Sequence, residues 1–353
     1  MSSLAMPNPP PPAAAPVLVT VIVKALNEER GIGACLRSAL AELEGMAGEV
    51  ILADSVSRDK TVEIATGLDV NVVQFTSVAD RNCGAALQLG YQYARGEFIY
   101  VLDGDMTLQP GFLRLALAYL RDHPEVAGVG GKLIDNQVLN VADRLRVAYY
   151  GTLATERRVA SLGGGGLYRR SAIEQVGYLA NRWLPAFEEV ELGARLQAAG
   201  WQLVRLPAPA VSHCGHHETS FKMMLRLWRS GRIEASGIFL RGAVGRAWLR
   251  HAIRACWFVF AAPLLYLLVV LSAAAGALAG GPFWPLLAAA WLAWWGGALL
   301  LMVWRKKNLY EGLIALLAWH LYALGAGAGF LKPAGDPRAA IDAQVLHAAQ
   351  VRD

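Results

Sequence analysis

Apolar runs and helix-like patterns alternate along the first 130 residues of the chain. Residues 17–23 (VLVTVIV), 50–53 (VILA), 70–75 and 98–102 (FIYVL) are runs typical of buried strands, and the spacing of apolar residues predicts helices at 29–45, 59–66 and 85–94. Strands that alternate with helices form parallel sheets with helices on both faces. The pattern predicts an α/β fold with a mostly parallel, twisted sheet.

Polar clusters follow the predicted strands. These clusters are KALNEE at 24–29, DSVSRDKT at 54–61 and the Asp103-Gly104-Asp105 stretch. Since parallel strands end at the same edge of a sheet, and ligands bind beyond that edge, we expect the three clusters to form one site.

Asp103 and Asp105 place two like charges directly after a buried strand, where each raises the cost of ionising the other. A hard divalent cation removes this repulsion, and Gly104 allows close backbone approach. Mg²⁺ or Mn²⁺ usually keeps coordination positions open for substrate phosphates. The pair therefore predicts a metal site that anchors a nucleotide diphosphate. The alternative is a plain Asp-Gly turn.

The second half of the chain contains long stretches without charge. No charged residue occurs between Arg254 and Arg305, or between Glu311 and Lys332. The first stretch is long enough for two membrane crossings of about 20 residues each, and the second for one more. We expect about three transmembrane helices at 255–331. A re-entrant third segment is the alternative, and it would put the following tail on the other side of the bilayer.

The segments around this membrane region differ from one another. Residues 219–254 are predicted to form interfacial amphipathic helices. One helical face is apolar and consists of Phe221, Met224, Leu225 and Trp228. The basic residues lie on other faces and are expected to face lipid headgroups: Lys222, Arg226, Arg229 and Arg232. A surface helix packed on the domain is the alternative. Residues 1–16 are predicted to be a disordered, proline-rich leader that lacks the features of a signal peptide, and 332–353 a C-terminal tail.

Basic residues set the expected orientation. Four arginines between 241 and 254 precede the first predicted span, and Arg305, Lys306 and Lys307 follow the second. Both flanks are therefore expected in the cytoplasm, which makes this a multi-pass plasma (inner) membrane protein with a cytoplasmic soluble domain. The four cysteines lack paired spacing, so we expect no disulfide. The net charge of +5 favours anionic lipid or a phosphorylated substrate over nucleic acid.

Five segments in order resemble the glycosyltransferases of family 2, which have the nucleotide-sugar-binding GT-A fold. They are VTVIVKALNEERGIGACLRSAL, VILADSVSRDKTVEIA, ARGEFIYVLDGDMTLQPGFL, GGGGLYRRSAIEQVG and LPAFEEVELGARLQAAGW, and the resemblance covers residues 17 to about 215. It implies a GT-A catalytic domain at 17–218, a nucleotide sugar as donor, and Mn²⁺ or Mg²⁺ as cofactor. We expect the donor to be a UDP-sugar.

The resemblance also implies roles for individual residues. Asp54, Asn27 and Glu28 match the segments that receive base and ribose, although Ser55 stands where many relatives have a second aspartate. Asp105 is expected to bind the metal directly, while Asp103 faces the ribose or a metal-bound water. Arg81 and Lys24 are candidates for contact with the diphosphate. His213 is a candidate third metal ligand, with a solvated or hydrogen-bonded histidine as the alternative.

Sugar transfer with inversion needs a carboxylate that takes the proton of the acceptor hydroxyl. In the segment FEEVEL, at 187–192, alignment with the family places Glu189 at the position of this base, with Glu188 as the rival. The alternative is an ordinary helix start, where acidic side chains favour the helix dipole. The glycine run at 163–166 is expected either to border the acceptor or to be a flexible hinge.

The predicted interfacial helix lacks the glutamine and the Arg-Trp pair of the family's processive members. Three spans are also few for a polysaccharide channel. We therefore predict a single addition of a sugar to a lipid-linked acceptor, a polyprenyl-diphosphate-linked saccharide, in exopolysaccharide or envelope glycan synthesis. Two alternatives remain: transfer to polyprenyl phosphate or another membrane lipid, and a catalytically inactive GT-A domain that serves as a membrane scaffold.

Overall fold

The computed structural model describes residues 17–136, 138, 141–213 and 219–349. The predicted leader and most of the histidine-rich stretch after His213 lie outside the described residues. The strands, in chain order, are β1 Val19–Ala25, β2 Gly48–Asp54, β3 Asn71–Phe75, β4 Phe98–Asp103, β5 Met106–Leu108, β6 Val126–Asp135, β7 Arg157–Arg158, β8 Gly166–Arg169, β9 Gln202–His213 and β10 Ala343–His347.

The helices of the N-terminal domain are α1 Ile32–Glu42, α2 Thr61–Gly67, α3 Cys83–Tyr93, α4 Phe112–Asp122, α5 Val141–Gly151, α6 Arg170–Gln175 and α7 Glu188–Ala198. The first four strands and first three helices follow the predicted order, with ends shifted by at most two residues. The exception is α1, whose bounds lie three residues inside the predicted range at each end.

The ten strands of the described residues form one mixed sheet of order β10-β3-β2-β1-β4-β8-β6-β9-β5, and β7 pairs with β9. Strand β9 has twelve residues. The segment β3-β2-β1-β4 is parallel, as predicted. Beyond β4 the pairing is mixed: β8 is antiparallel to both neighbours, while β6 and β9 are parallel.

Helices cover both faces of the sheet, which explains why the central strands are apolar throughout. Val21 and Val23 of β1 pack in the same core as residues of α1 and α4, whereas Ile22 packs with residues of α3, α6 and α7. All three side chains are completely buried. A Cβ on Gly90 of α3 would overlap Ile22, so this glycine lets α3 lie close to the sheet.

The membrane-side elements follow β9. They are α8 Ser220–Arg229, a 3₁₀ turn Arg232–Glu234, α9 Ala235–Ala243, α10 Leu249–Ala255, a 3₁₀ turn Trp257–Phe260, α11 Ala261–Leu278, α12 Phe283–Lys306 and α13 Leu309–Leu331. Three helices in the described part of the chain are long and apolar enough to cross a membrane: Trp257–Leu278, Phe283–Lys306 and Leu309–Leu331.

The segment predicted to be a tail contains a strand of the N-terminal-domain sheet. Strand β10 pairs antiparallel with β3, with Gln344 opposite Gln74. A short sequence such as AQVLH gives little local signal, because its pairing depends on an edge strand about 270 residues earlier in the chain. Cys35, Cys83 and Cys256 are free thiols, and Cys214 lies outside the described residues.

Candidate active site

The carboxyl ends of β1, β2 and β4 bring the predicted polar clusters together. Lys24 is in register with Asp103, and the next residue of β1, Ala25, is in register with Asp54. Because the three strands are adjacent and parallel, their polar ends share one edge of the sheet. This juxtaposition is the one expected from the alternating pattern.

The Asp103-Gly104-Asp105 stretch is packed tightly against the loop after β1. The Gly104 N–H donates to the Lys24 carbonyl oxygen at 3.0 Å, and a Cβ on Gly104 would lie 3.1 Å from Ala25 and from Glu28. Burial and the nearby carboxylates of Asp105 and Asp103 raise the pKa of Glu28 to about 7. The site therefore concentrates negative charge that the surrounding residues do not fully neutralise.

His213 lies beside Asp105 because β9 pairs with β5, which places His213 opposite Met106. Its Nε2 is 3.3 Å from Asp105 Oδ2, and its Nδ1 is 3.0 Å from Asp135 Oδ1. Hydrogen bonds to Asp105 and Asp135 raise the pKa of His213 to about 9, against the opposing effect of burial. Asp135 in turn accepts hydrogen bonds from Arg146 at 2.7 and 2.8 Å, which fixes the orientation of the imidazole.

The donor set suits a hard divalent cation. Within the described residues, no three His, Cys, Asp or Glu side chains are already gathered around a common point. Asp105 and His213 are nevertheless adjacent, and Asp103, two residues before Asp105, ends β4. A few protein ligands with several open positions are what Mg²⁺ and Mn²⁺ need when diphosphate oxygens complete the coordination.

Lys24 is a largely buried cation among the acids, with a side chain that is 13% exposed. Its ammonium pairs with Glu188 and lies 3.2 Å from Asp103 Oδ1. Burial alone would lower the pKa of Lys24, but Asp103, Glu188 and Glu189 raise it well above its usual value. Lys24 also lowers the pKa of Glu188 against the effect of burial. Glu188 is therefore ionised and paired.

Glu189 has a different environment although it is adjacent in sequence. Its Oε1 is buried without a hydrogen-bond partner among the described residues. Burial, followed by the charges of Glu188 and Asp103, raises the pKa of Glu189 to about 8, despite the opposing effect of Lys24. Phe187, two residues earlier at the start of α7, has a φ of 69°, an unusual value for a bulky residue, which indicates that packing fixes this helix start. Of the two glutamates, Glu189 is the one that is not held in an ion pair within the described residues, and it can accept a proton in the deprotonated form that it reaches as the pH rises to about 8.

Asp54 combines complete burial with an unused acceptor. Its Oδ2 accepts hydrogen bonds from the Ser57 N–H at 2.9 Å and from Gln74 Nε2 at 2.8 Å, whereas Oδ1 has no partner in the described part of the chain. Since a carboxylate only accepts, Gln74 must point its amide nitrogen at Asp54 and its oxygen outward, where Gln344 Nε2 donates at 3.0 Å. Neither glutamine was predicted: Gln74 lies opposite Asp54 through the β2–β3 pairing, and Gln344 reaches Gln74 through strand β10.

The other predicted nucleotide contacts connect loops. Asn27, at a φ of 56°, accepts a hydrogen bond from the Arg58 N–H at 2.8 Å, and the Glu28 N–H donates to Thr61 at 2.8 Å. Both residues thus join the loop after β1 to the loop after β2. Arg81 donates to the Ser55 carbonyl at 3.3 Å, at the rim of the same loop.

Two residues that the sequence did not single out as catalytic also adjoin the site. Arg232 Nη2 lies 2.7 Å from Cys83 Sγ, and its Nε donates to the Pro185 carbonyl at 3.2 Å. Its charge contributes to the lowered pKa of Glu188. The prediction that Arg232 faces lipid headgroups was therefore wrong: the turn after α8 directs this side chain toward the catalytic domain, where acidic groups attract it.

The glycine run borders the acidic pair. A Cβ on Gly164 would lie 3.1 Å from Asp103 Oδ2 and 2.6 Å from the Met106 methyl group. Gly163 and Gly165 have φ values of 68° and 89°, which favour glycine. The run therefore forms a wall of the site that side chains would fill.

Residues 20–177 match the family model described as Glycosyl transferase family 2. This segment is a family 2 glycosyltransferase domain. The N-terminal domain has the GT-A fold with its mixed sheet, and apolar helices follow it.

Curated relatives match parts of this domain. The succinoglycan biosynthesis protein ExoO of Rhizobium meliloti (strain 1021) is 37% identical over 97 residues, 27% of this chain and 28% of that protein. An undecaprenyl-phosphate 4-deoxy-4-formamido-L-arabinose transferase of Pseudomonas aeruginosa (strain LESB58) is 35% identical over 101 residues, 26% of this chain and 29% of that protein. The match spans less than a third of either relative's length.

Among solved structures, the crystal structure of S. aureus TarS 1–349 has a TM-score of 0.48 to this chain at 16% identity. The superposition covers 67% of this chain and 72% of the TarS chain.

Proposed function

We propose that this protein is an inverting, metal-dependent hexosyltransferase. It moves a sugar from a nucleotide diphosphate, a UDP-sugar, to a saccharide carried on polyprenyl diphosphate, in exopolysaccharide or envelope glycan synthesis. The observation that carries this proposal is the placement of an unpartnered carboxyl group, Glu189, within the electrostatic reach of Asp103 at the edge where β1, β2 and β4 end.

The donor nucleotide is assigned from Asp54. Its buried Oδ1 has no partner among described residues, and an unmade hydrogen bond of this kind costs about 1–3 kcal/mol. Uracil carries an imide N–H that can donate a hydrogen bond to a carboxylate oxygen. A base bound there would satisfy Asp54, while Asn27, Glu28 and Arg81 shape the surrounding loop and the rim of the pocket.

The reaction follows from the charges at the site. Glu189, in its deprotonated form, takes the proton of the acceptor hydroxyl while the hydroxyl oxygen bonds to the anomeric carbon. The bond from that carbon to the diphosphate breaks, and its electron pair stays on the leaving nucleotide diphosphate. Lys24, whose ammonium lies 3.2 Å from Asp103, would contribute positive charge toward the leaving group. Mn²⁺ or Mg²⁺, held by Asp105, Asp103 and His213, would add positive charge to the diphosphate.

The acceptor is assigned from the membrane-side helices and the relatives. An enzyme with apolar helices directly after its catalytic domain would meet an acceptor at the bilayer surface. One relative is named for succinoglycan biosynthesis, and another for transfer to undecaprenyl phosphate. The second name favours a bare polyprenyl phosphate as the alternative acceptor. We place the protein in the plasma membrane with the catalytic domain in the cytoplasm, because the basic flanks of α11 and α12 favour that side.

A transfer assay tests the proposal. Membranes containing the full chain are incubated with radiolabelled nucleotide sugars and extracted membrane lipids, with Mn²⁺ or with a chelator. Label should enter a lipid-extractable product only when metal is present, and Asp105→Ala should abolish it. Activity that survives both changes would contradict the metal assignment. If no sugar is transferred while nucleotide still binds, the inactive scaffold is favoured.

A further inference from the structure

The chain leaves the catalytic domain for the membrane and returns to the same domain. Strand β1 and strand β10 belong to one sheet, although α11, α12 and α13 lie between them in sequence. The return is well anchored: the Ile341 N–H donates to Gln92 Oε1 at 2.8 Å, Gln92 Nε2 donates back to the Ile341 carbonyl at 3.2 Å, and Ile341 is 4% exposed. One sheet lies on one side of a bilayer.

This connection restricts how many helices cross the bilayer. A chain that starts and ends on the same side crosses an even number of times, so three complete crossings are excluded. Helices α11 and α12 form a hairpin whose turn, Gly280-Gly281-Pro282, is far in sequence from the basic flanks at both of its ends. The hairpin therefore provides two crossings, and α13 provides none.

The contacts of α13 agree with this assignment at both ends. Near its start, Ser220 at the beginning of α8 donates to the Glu311 carboxylate at 3.1 Å. At its end, Lys332 pairs with Glu234, and the Trp183 indole donates to the Asp336 carbonyl at 3.0 Å. Both ends are thus held by the catalytic domain or by the segment that follows it.

The inner face of α13 fits closely against α9 and the turn before it. A Cβ on Gly329 would overlap the Glu234 carbonyl, and a Cβ on Gly237 would overlap the Ala326 carbonyl. Gly325 and Gly329 are spaced four apart, so they lie on one side of the helix and allow backbone contact.

The outer face of α13 is an apolar stripe. Leu313, Leu317, Leu324 and Leu331 fall within about 40° of one another at 100° per residue, and they are between 41% and 80% exposed. Of the 23 residues of α13, one, Glu311, is an aspartate, glutamate, lysine or arginine. Water would be a poor solvent for such a stripe, whereas the hairpin that adjoins it already requires lipid.

We propose that only α11 and α12 cross the bilayer, and that α13 stays in the leaflet beside the catalytic domain with its leucine stripe against acyl chains. Helix α13 then ties the catalytic domain to the membrane surface, and the segment after it completes the sheet. This inference does not depend on the proposed function.

Thiol labelling in membrane vesicles tests the proposal on the full chain. A membrane-impermeant maleimide is applied to vesicles of either orientation that contain Val345→Cys on β10, Glu63→Cys on α2 or Ala279→Cys at the hairpin turn; all three positions are exposed. The unsubstituted chain measures background from the native cysteines. Val345→Cys should be labelled in the same vesicles as Glu63→Cys, and Ala279→Cys in the opposite ones. Labelling of Val345→Cys together with Ala279→Cys overturns the proposal.

A cross-link covers the case in which position 345 is shielded from the reagent. Gln74 and Gln344 are directly opposite in the β3–β10 pair, so the double variant Gln74→Cys with Gln344→Cys should form a disulfide on mild oxidation in membranes. Each single variant is the control. Absence of the cross-link would overturn the strand pairing and, with it, the even number of crossings.

Discussion

Glutamine substitutions at Glu188 and Glu189 should have opposite effects on stability and activity. Glu188 is buried and paired with Lys24, whereas Glu189 has an unpartnered buried oxygen and a pKa of about 8. Glutamine has the shape of a protonated glutamate, and like a protonated glutamate it carries no charge. The two variants are matched controls for each other, because the positions are adjacent and the chemical change is the same.

The magnitudes follow from the two environments. Loss of a general base costs about 10²–10⁴ in rate, so Glu189→Gln should lose at least 100-fold in kcat while donor binding is retained. Its stability should be unchanged, because Glu189 is already largely protonated near neutral pH. Glu188→Gln removes the carboxylate that Lys24 contacts most closely and leaves this cation with Asp103 alone, which costs about 3 kcal/mol and lowers Tm by about 6–12 °C for a domain of this size.

Three measurements on purified protein distinguish these outcomes: sugar transfer under saturating donor, binding of the nucleotide by calorimetry, and thermal unfolding. Full transfer activity in Glu189→Gln would show that this residue is not the base. A stable but inactive Glu188→Gln, combined with an active Glu189→Gln, would move the base to Glu188.

Other consequences are open to measurement. A base acts when it is deprotonated, and Glu189 has a pKa raised to about 8, so kcat/KM should rise with pH up to about 8 and then level. Glu189→Gln should lose this rise. A flat profile of the unsubstituted protein from pH 6 to 9 would contradict the assignment. Gln344→Ala should raise the donor KM about fivefold through loss of one hydrogen bond in the chain to the nucleotide carboxylate, with kcat nearly unchanged, whereas Leu346→Ala on the same strand should have no effect. Gly164→Ala should reduce transfer more than tenfold, since its Cβ would meet the acidic pair, while Gly151→Ala, with open space around it, should be harmless; equal activities of the two variants would argue against a glycine wall at the site.

The parallel half of the sheet could be predicted from sequence because its signals are local. Each of β1, β2 and β4 is a continuous apolar run, and each is followed by polar residues. Parallel pairing then brings Lys24, Asp54 and Asp103 to one edge without further information. The positions of Glu188 and Glu189 needed the family resemblance, since nothing in a helix start specifies a partner across the sheet.

The features that escaped prediction depend on contacts between distant parts of the chain. Strand β10 is short and exposed, and its pairing with β3 is fixed by neighbours such as Gln92 rather than by its own sequence. The position of Arg232 depends on the turn after α8, so its spacing in the sequence placed it among the lipid-facing basic residues. The difference between Glu188 and Glu189 arises from Lys24, 164 residues before Glu188.

Metal-dependent binding of the donor nucleotide tests the central claim most directly. Calorimetric titration of the full chain in detergent with UDP should give tight binding in Mn²⁺, binding at least tenfold weaker after chelation, and equally weak binding by Asp105→Ala in either condition. Affinity that is the same with and without metal, in both the wild type and the variant, would contradict a cation held between the acids and the diphosphate.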